Sequence, residues 1–129
     1  MNKPEKLTTA NAECMTELSA VIHHANKEKG FWPTEGRNTG EVICLIHSEC
    51  SELLEAERKG NGDKPCDKPI TMTGIDGVER PMTNREEEIA DIVIRSLDLA
   101  GHHRIDIHQA IIKKLEYNAT RPAKHGKKF

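Results

Sequence analysis

The chain has 129 residues, a formal net charge of -2 and few aromatic residues: one Trp, one Tyr and two Phe. Its length fits a single domain over residues 1–129, with enough chain for a hydrophobic core. The small net charge argues against generic binding of polyanions, so we expect no nucleic-acid partner. No segment resembles a signal peptide or a membrane span, so we expect a cytoplasmic protein without a membrane partner.

The scarcity of aromatic residues leaves aliphatic side chains to fill the core, which favours an all-α fold. The apolar spacing predicts four helices, over residues 9–29, 39–59, 83 or 84 to 101, and 107–121. Residues of the types that begin or end helices stand at these boundaries: Gly30, Asn38 or Thr39, Gly60, Thr83 or Asn84 with Glu86 or Glu87, and Asp106.

The connection between the second and third helices, residues 60–83, is dense in Gly, Pro and Asp. A connection of this length inside a small domain is typically a functional lid or a disordered insertion. Within it, residues 70–73 and the turn Asp76-Gly77 predict a small hairpin. Residues 122–129 form a basic tail, which is either an extension of a positive patch or an ordinary solubilising terminus.

The four cysteines, Cys14, Cys44, Cys50 and Cys66, are scattered without CxxC spacing. Cys44 and Cys50 fall within the second predicted helix. We therefore expect buried, reduced thiols rather than a disulfide or a zinc site.

Two acidic pairs, Glu49-x-x-Glu52 and Glu88-x-x-Asp91, are the most informative motifs of the chain. Glu49 continues the apolar stripe of the second helix, and Glu52 lies at its edge. A carboxylate in an apolar setting is costly unless a cation or hydrogen-bond donors compensate it. Four carboxylates without Cys or His suit Mg²⁺, with Mn²⁺ as a substitute, and Mg²⁺ often completes its shell with substrate phosphates.

The third helix carries its polar residues, Glu88, Asp91, Arg95 and Asp98, on one narrow stripe of an otherwise apolar surface. For a single ExxE or ExxD motif, a stripe that faces water is the commoner explanation. Two such pairs that flank a common loop favour a metal site, because residues three apart share a helix face and can reach one ion.

The fourth helix supplies groups of the opposite charge. Lys114, Asn118 and Arg121 fall on the side of its apolar stripe, and they are candidate ligands of phosphate oxygens. Lysine and arginine stems that extend past the core into water explain the same positions equally well. In the basic tail, Lys124 is a weaker candidate for substrate binding.

Other candidates carry less weight. Trp32, in the only aromatic cluster, is a weak candidate for stacking on a nucleobase, and a core role is favoured. The histidines His102, His103 and His108 lack the paired spacing of metal-binding helices.

Residues 47–56 (HSECSELLEA) and 87–95 (EEIADIVIR) together resemble the ExxE and ExxD motifs of the all-α nucleoside triphosphate pyrophosphohydrolases, the MazG-like group. Residues 114–121 (KLEYNATR) resemble the KxxxNxxR segment of that family. The likeness covers roughly residues 38–121. The stretch between the two acidic pairs is longer than in compact members of the family.

The resemblance implies a four-helix, MazG-type bundle that is completed by homodimer or homotetramer formation. It implies a Mg²⁺-dependent hydrolase that cleaves a nucleoside triphosphate between its α- and β-phosphates, giving a monophosphate and pyrophosphate. Glu49, Glu52, Glu88 and Asp91 would hold the metal, and Glu49 or Glu52 would accept the proton of the attacking water. Lys114, Asn118 and Arg121 would bind the phosphates.

A non-catalytic helical interaction or regulatory module is the alternative, with the acids as surface decoration. A di-iron carboxylate bundle is set aside, because that fold uses Glu-x-x-His on two helices and no Glu of this chain has a His three residues later.

Overall fold

The computed structural model of the chain describes residues 6–8 and 12–128, and these residues are mostly helical. Within them, the helices are α1 (Met15–Glu28), α2 (Thr39–Arg58), α3 (Asn84–His102) and α4 (Ile107–Ala119), and a short 3₁₀ helix covers Ala123–Gly126. The strands β1 (Thr71–Thr73) and β2 (Glu79–Pro81) lie between α2 and α3. The predicted all-α class is confirmed.

The chain divides into two compact units. One unit, Trp32–Ser96, contains α2, the strands and most of α3. The other combines Met1–Phe31 with Leu97–Phe129, and so contains α1, the end of α3 and α4. The prediction of a single domain stays a prediction.

Side-chain caps set the starts of α2, α3 and α4 where the sequence predicts them. Asn38 Oδ1 accepts from the Glu41 amide at 3.2 Å, and Asp106 Oδ1 accepts from the Gln109 amide at 3.1 Å. Thr83 and Glu86 form a reciprocal capping box, with the Thr83 amide donating to Glu86 Oε1 at 3.0 Å and the Glu86 amide donating to Thr83 Oγ1 at 3.2 Å.

The start of α1 differs from its prediction. The helix begins at Met15 instead of residue 9, because the backbone of Cys14 is extended, with φ -146° and ψ 169°. Residues 9–11 lie outside the described residues. The predicted stop is correct: Gly30 has a φ of +86°, which favours glycine over any residue with a side chain.

The predicted hairpin is confirmed within the 60–83 connection. Its antiparallel register places Thr71 opposite Pro81 and Thr73 opposite Glu79. The Val78 amide donates to Asp76 Oδ1 at 3.0 Å and so closes the turn. The two ends of the segment that carries the hairpin are also joined, since the Cys66 amide donates to the Met82 carbonyl at 2.8 Å.

In the unit Trp32–Ser96, the apolar stripe of α2 is oriented as the sequence predicts. Val42 and Glu49 are buried, Leu45 and Leu53 are half-buried, and Glu52 is exposed. Glu49 therefore occupies a position on the core side of the helix, where an unpaired carboxylate is costly.

The surface of α3 is divided in an unexpected way. The polar residues Glu88, Asp91 and Arg95 are half-buried, whereas Val93 and Ile89 are 40% and 47% exposed. A polar stripe that simply faces water is therefore excluded for this helix.

In the other unit, α1 packs closely on the end of α3. Ser19, Leu97 and Ala100 are buried, and the Ser19 hydroxyl donates to the Leu97 carbonyl. A Cβ atom on Gly101 would lie 2.9 Å from the Ser19 carbonyl oxygen and 2.7 Å from His23 Cβ. Only glycine permits this approach of the two helices.

The cysteines differ in part from the prediction. All four are free thiols, but Cys44 and Cys50 are exposed, so the expectation that they are buried is wrong. Both lie on the solvent side of α2, because Val42 and Glu49 occupy its buried side. Cys66 is buried.

Of the helices in the described residues, none combines the length and apolar composition that a membrane span requires.

Candidate metal centre

Three carboxylates of α2 and α3 converge in the unit Trp32–Ser96. Glu49, Glu52 and Glu88 each offer one oxygen, and these oxygens all lie within 4.8 Å of one another. The α-helical periodicity places Glu49 and Glu52 on adjacent turns of α2, so that both reach the same point. The predicted convergence of the two acidic motifs is found for these three residues.

Glu49 is the most buried member of this acidic cluster. Its side chain is 9% exposed, and its Oε1 accepts from Arg95 Nε at 2.7 Å. Its second oxygen, Oε2, is buried and has no hydrogen-bond partner among the residues that the structure describes. A buried carboxylate oxygen without a partner is costly, and a bound cation would compensate it.

The charges of the cluster are strongly interdependent. Burial and the nearby Glu52 carboxylate raise the pKa of Glu88 to about 7. The neighbouring Glu49 carboxylate, followed by burial, raises the pKa of Glu52. Burial is the largest influence on Glu49 and acts in the same direction, but the Arg95 guanidinium together with the Glu52 and Glu88 carboxyl groups outweighs it, and the pKa of Glu49 is lowered. Glu49 is thus held ionised, while Glu88 keeps a proton up to neutral pH.

Asp91, the fourth predicted ligand, lies one turn beyond Glu88 and is half-buried. Within the described chain it is not part of the set of three converging oxygens. Burial is the largest cause that raises the pKa of Asp91, and the charge of Glu49 raises this pKa further. Asp91 is therefore close enough to the acidic cluster to be affected by its charge. Its role as a ligand stays a prediction.

The donor set fits a hard cation. It consists of carboxylate oxygens from three glutamates, with no Cys or His in the group. Oxygen ligands of this kind suit Mg²⁺, Mn²⁺ or Ca²⁺ and disfavour a structural zinc site. The acidic cluster can therefore hold a metal ion.

The 60–83 insertion adds a cation beside this cluster. Lys68 Nζ lies 2.6 Å from Glu87 Oε1, and Glu87 precedes Glu88 on α3. The charge of Lys68 also favours the ionised form of Asp91. This effect is smaller than those of burial and Glu49, so the pKa of Asp91 remains raised overall. Sequence reasoning missed Lys68 because nothing in the motif spacing connects a lysine of the insertion with α3.

Arg95 was also missed as a partner of the acidic cluster. The signal was present, since Arg95 follows Asp91 by four residues on the polar stripe of α3. What the spacing does not reveal is that Arg95 reaches across to Glu49, which is 46 positions away.

The predicted phosphate ligands Lys114, Asn118 and Arg121 belong to the other unit. There, Lys114 Nζ lies 4.8 Å and Arg121 Cζ 5.8 Å from the ring centroid of Tyr117. Asn118 Oδ1 is buried without a hydrogen-bond partner in the part of the chain that the structure describes. The participation of these three residues in phosphate binding stays a prediction.

The weaker candidates are placed as follows. Trp32 is buried, with Arg37 Cζ 5.2 Å from its ring centroid, which fits the favoured core role. Lys124 is exposed in the 3₁₀ helix. His102 and His103 form an edge-to-face pair with ring centroids 5.0 Å apart.

A second polar cluster joins α1 to the end of α3. Asp98 is 5% exposed, and its two oxygens contact His23 Nδ1 at 2.8 Å and Asn26 Nδ2 at 2.9 Å. Since both Asp98 oxygens are engaged by α1, this cluster has a structural role.

Comparisons of the chain with protein-family models, with curated proteins and with solved structures find no match. The resemblance to MazG-like enzymes therefore rests on the motifs of the chain itself. The acidic cluster on α2 and α3 is the structural feature from which a function can be argued.

Proposed function

We propose that the chain is a Mg²⁺-dependent nucleoside triphosphate pyrophosphohydrolase of the MazG-like type. The observation that carries the proposal is the buried Glu49 carboxylate, which has an unpartnered oxygen, Oε2, and is one of three converging glutamates. Acids that merely decorate the surface would all lie in water, whereas Glu49 is buried and Glu88 is half-buried, and a bound cation would compensate the cost of burying them.

Glu49, Glu52 and Glu88 would hold the ion, and Asp91 is the candidate for a fourth protein ligand. When bound, Mg²⁺ would neutralise the polyphosphate and lower the pKa of a coordinated water. The protein side of the reaction is then to orient the triphosphate and to accept one proton from the attacking water.

Glu52 fits the role of proton acceptor better than Glu49 does. Its carboxylate is exposed, and its pKa is raised towards the range in which a carboxylate is an effective base. Glu49 is engaged by Arg95 and has a lowered pKa, which suits a permanent ligand. The water would attack the α-phosphorus, breaking the bond to the bridging oxygen, with pyrophosphate as the leaving group.

A product assay tests this proposal. The purified chain is incubated with Mg²⁺ and a panel of standard and modified ribonucleoside and deoxyribonucleoside triphosphates. We expect a monophosphate and pyrophosphate as first products, without orthophosphate. Orthophosphate as the first product, or no turnover across the panel, would reject the proposed chemistry and favour the non-catalytic helical module.

Self-association is part of the proposal. In the unit Trp32–Ser96, Ile89 and Val93 lie one turn apart on α3 and are 47% and 40% exposed. Leu54 on α2 is 51% exposed. Apolar side chains outside and carboxylates inside are the expected pattern for a helix that packs against a second copy of the chain, as a homodimer or homotetramer.

Replacing Val93 with Asp is expected to weaken this association by about two to three orders of magnitude, because each interface would bury an uncompensated charge. Sedimentation equilibrium over a concentration series measures the effect. Ile75→Asp is the matched control, since Ile75 is fully exposed at the hairpin turn and not on α3. A monomeric wild-type chain, or equal association of Val93→Asp and wild type, would contradict the prediction.

A further inference from the structure

Arg95 contacts the acidic cluster, and both belong to the unit Trp32–Ser96. Of the ion pairs formed within residues 32–96, the pair of Arg95 Nε with Glu49 Oε1, at 2.7 Å, is the one that includes a member of the converging triad. The other ion-paired cations of these residues have partners outside the triad, such as Glu57, Glu86 and Glu87.

The two oxygens of Glu49 have different surroundings. Oε1 is engaged by the guanidinium, and Oε2 is buried without a hydrogen-bond partner among residues 6–8 and 12–128. A carboxylate with one oxygen fixed cannot rotate freely about its last torsion, so its second oxygen keeps one direction. Guanidinium groups are rigid and planar, which makes them effective at fixing carboxylates in this way.

We propose that Arg95 is a positioning residue of the metal centre: it fixes the Glu49 carboxylate so that one oxygen faces the guanidinium and the other is directed to a divalent cation. This inference rests on the metal-binding role proposed above for the acidic cluster. Carboxylate ligands of metals are themselves commonly hydrogen-bonded, and loss of such a partner lowers metal affinity.

The charge of Arg95 has an effect of opposite sign. A guanidinium near a bound cation repels it, so removal of Arg95 would strengthen metal binding if charge alone mattered. The Arg95 side chain is 38% exposed, and solvent screens its charge, whereas the Glu49 side chain is only 9% exposed. We therefore expect the loss of orientation at the buried carboxylate to exceed the relief of repulsion.

Titration with Mn²⁺, followed by the loss of the free-ion signal in electron paramagnetic resonance, tests the inference on the full chain. Arg95→Met is expected to weaken Mn²⁺ binding by about 10- to 100-fold. Arg95→Lys, which keeps a charge and a donor, is expected to lie between Arg95→Met and wild type. It also serves as the test should Arg95→Met fail to fold.

Arg85→Met is the matched control. Arg85 is an arginine of the same helix, and its Nη2 donates to Glu57 Oε2 at 2.9 Å, outside the triad. Its replacement is expected to lower the melting temperature and leave Mn²⁺ affinity unchanged, so a merely structural role of Arg95 would give the same result. Unchanged or tighter Mn²⁺ binding in both Arg95 variants would overturn the inference.

The outcome is separable from that of the proposed function. Mn²⁺ binding by a wild-type chain that hydrolyses no triphosphate would reject the hydrolase and leave the Arg95 comparison valid. Absence of Mn²⁺ binding by the wild type would overturn the metal centre and the role of Arg95 together.

Discussion

Replacing Glu52 with Gln is expected to lower the rate of pyrophosphate release by about 10³-fold or more, because the substitution removes both a ligand oxygen and the proposed proton acceptor. The amide of Gln has nearly the same shape as the carboxylate of Glu, so the loss of rate would come from the missing charge and proton acceptor and not from a change in packing. Steady-state kinetics with Mg²⁺ and a coupled pyrophosphate assay measure the effect. Asp91→Asn is expected to act in the same direction.

The stability of Glu52→Gln distinguishes a catalytic from a folding defect. The Glu49 carboxylate raises the pKa of Glu52, which means that the two charges repel each other in the folded state. Removal of one charge is therefore expected to leave the melting temperature unchanged or raised.

Glu55→Gln is the control on the same helix, since Glu55 is exposed and pairs with Lys59 at 3.1 Å. It should retain full activity. Activity that survives in both Glu52→Gln and Asp91→Asn would contradict the assignment of the site.

Without divalent cations, the free energy of unfolding is expected to fall as the pH rises from about 5 to about 7, through the contribution of Glu88. Burial, followed by the Glu52 charge, raises the pKa of this group from 4.5 to about 7 in the folded chain. In this range the folded state holds a proton that the unfolded state has lost. Stability therefore decreases with increasing pH, by about 2 kcal/mol at most for this one group.

Comparison of wild type with Glu88→Gln measures this contribution, including the effect of Glu88 on the pKa of Glu52. His102 has a pKa lowered by burial and acts in the opposite direction, but it is present in both proteins and cancels in the difference. Urea unfolding at several pH values with a chelator is the measurement. The variant should be the more stable protein at neutral pH, and equal stability at all pH values would contradict the prediction.

Mg²⁺ should reverse the trend, because metal ligands must be ionised and binding stabilises the folded state. The wild type in Mg²⁺ is then expected to gain stability with increasing pH. Glu88→Gln, which lacks a ligand oxygen, should gain less. Titration calorimetry in buffers of different ionisation enthalpy would detect the proton that Glu88 releases on metal binding.

Local features of the fold were predictable from the sequence. The capping box of Thr83 and Glu86 and the cap at Asp106 arise from side chains three residues from their partners. The burial of Glu49 was predictable because helical periodicity assigns it to the same face as Val42. The start of α1 was not predictable, since nothing in the sequence marks Cys14 as a residue with an extended backbone.

Features that depend on contacts between distant residues could not be predicted. With apolar residues on most sides of α3, the sequence does not determine which side faces inward, and the exposure of Ile89 and Val93 follows from packing. The pairing of Arg95 with Glu49 and of Lys68 with Glu87 likewise requires the folded chain. For the same reason, Asp91 could be recognised as a candidate while its position relative to the triad could not.

The closed base of the hairpin makes the chain suitable for engineering. Because the amide of Cys66 and the carbonyl of Met82 are hydrogen-bonded, the polypeptide leaves and returns at nearly the same point. A reporter peptide grafted between Gly74 and Val78 would extend from a solvent-exposed turn, where insertions are best tolerated. Such a fusion would attach a fluorophore or an affinity handle and leave both termini unmodified.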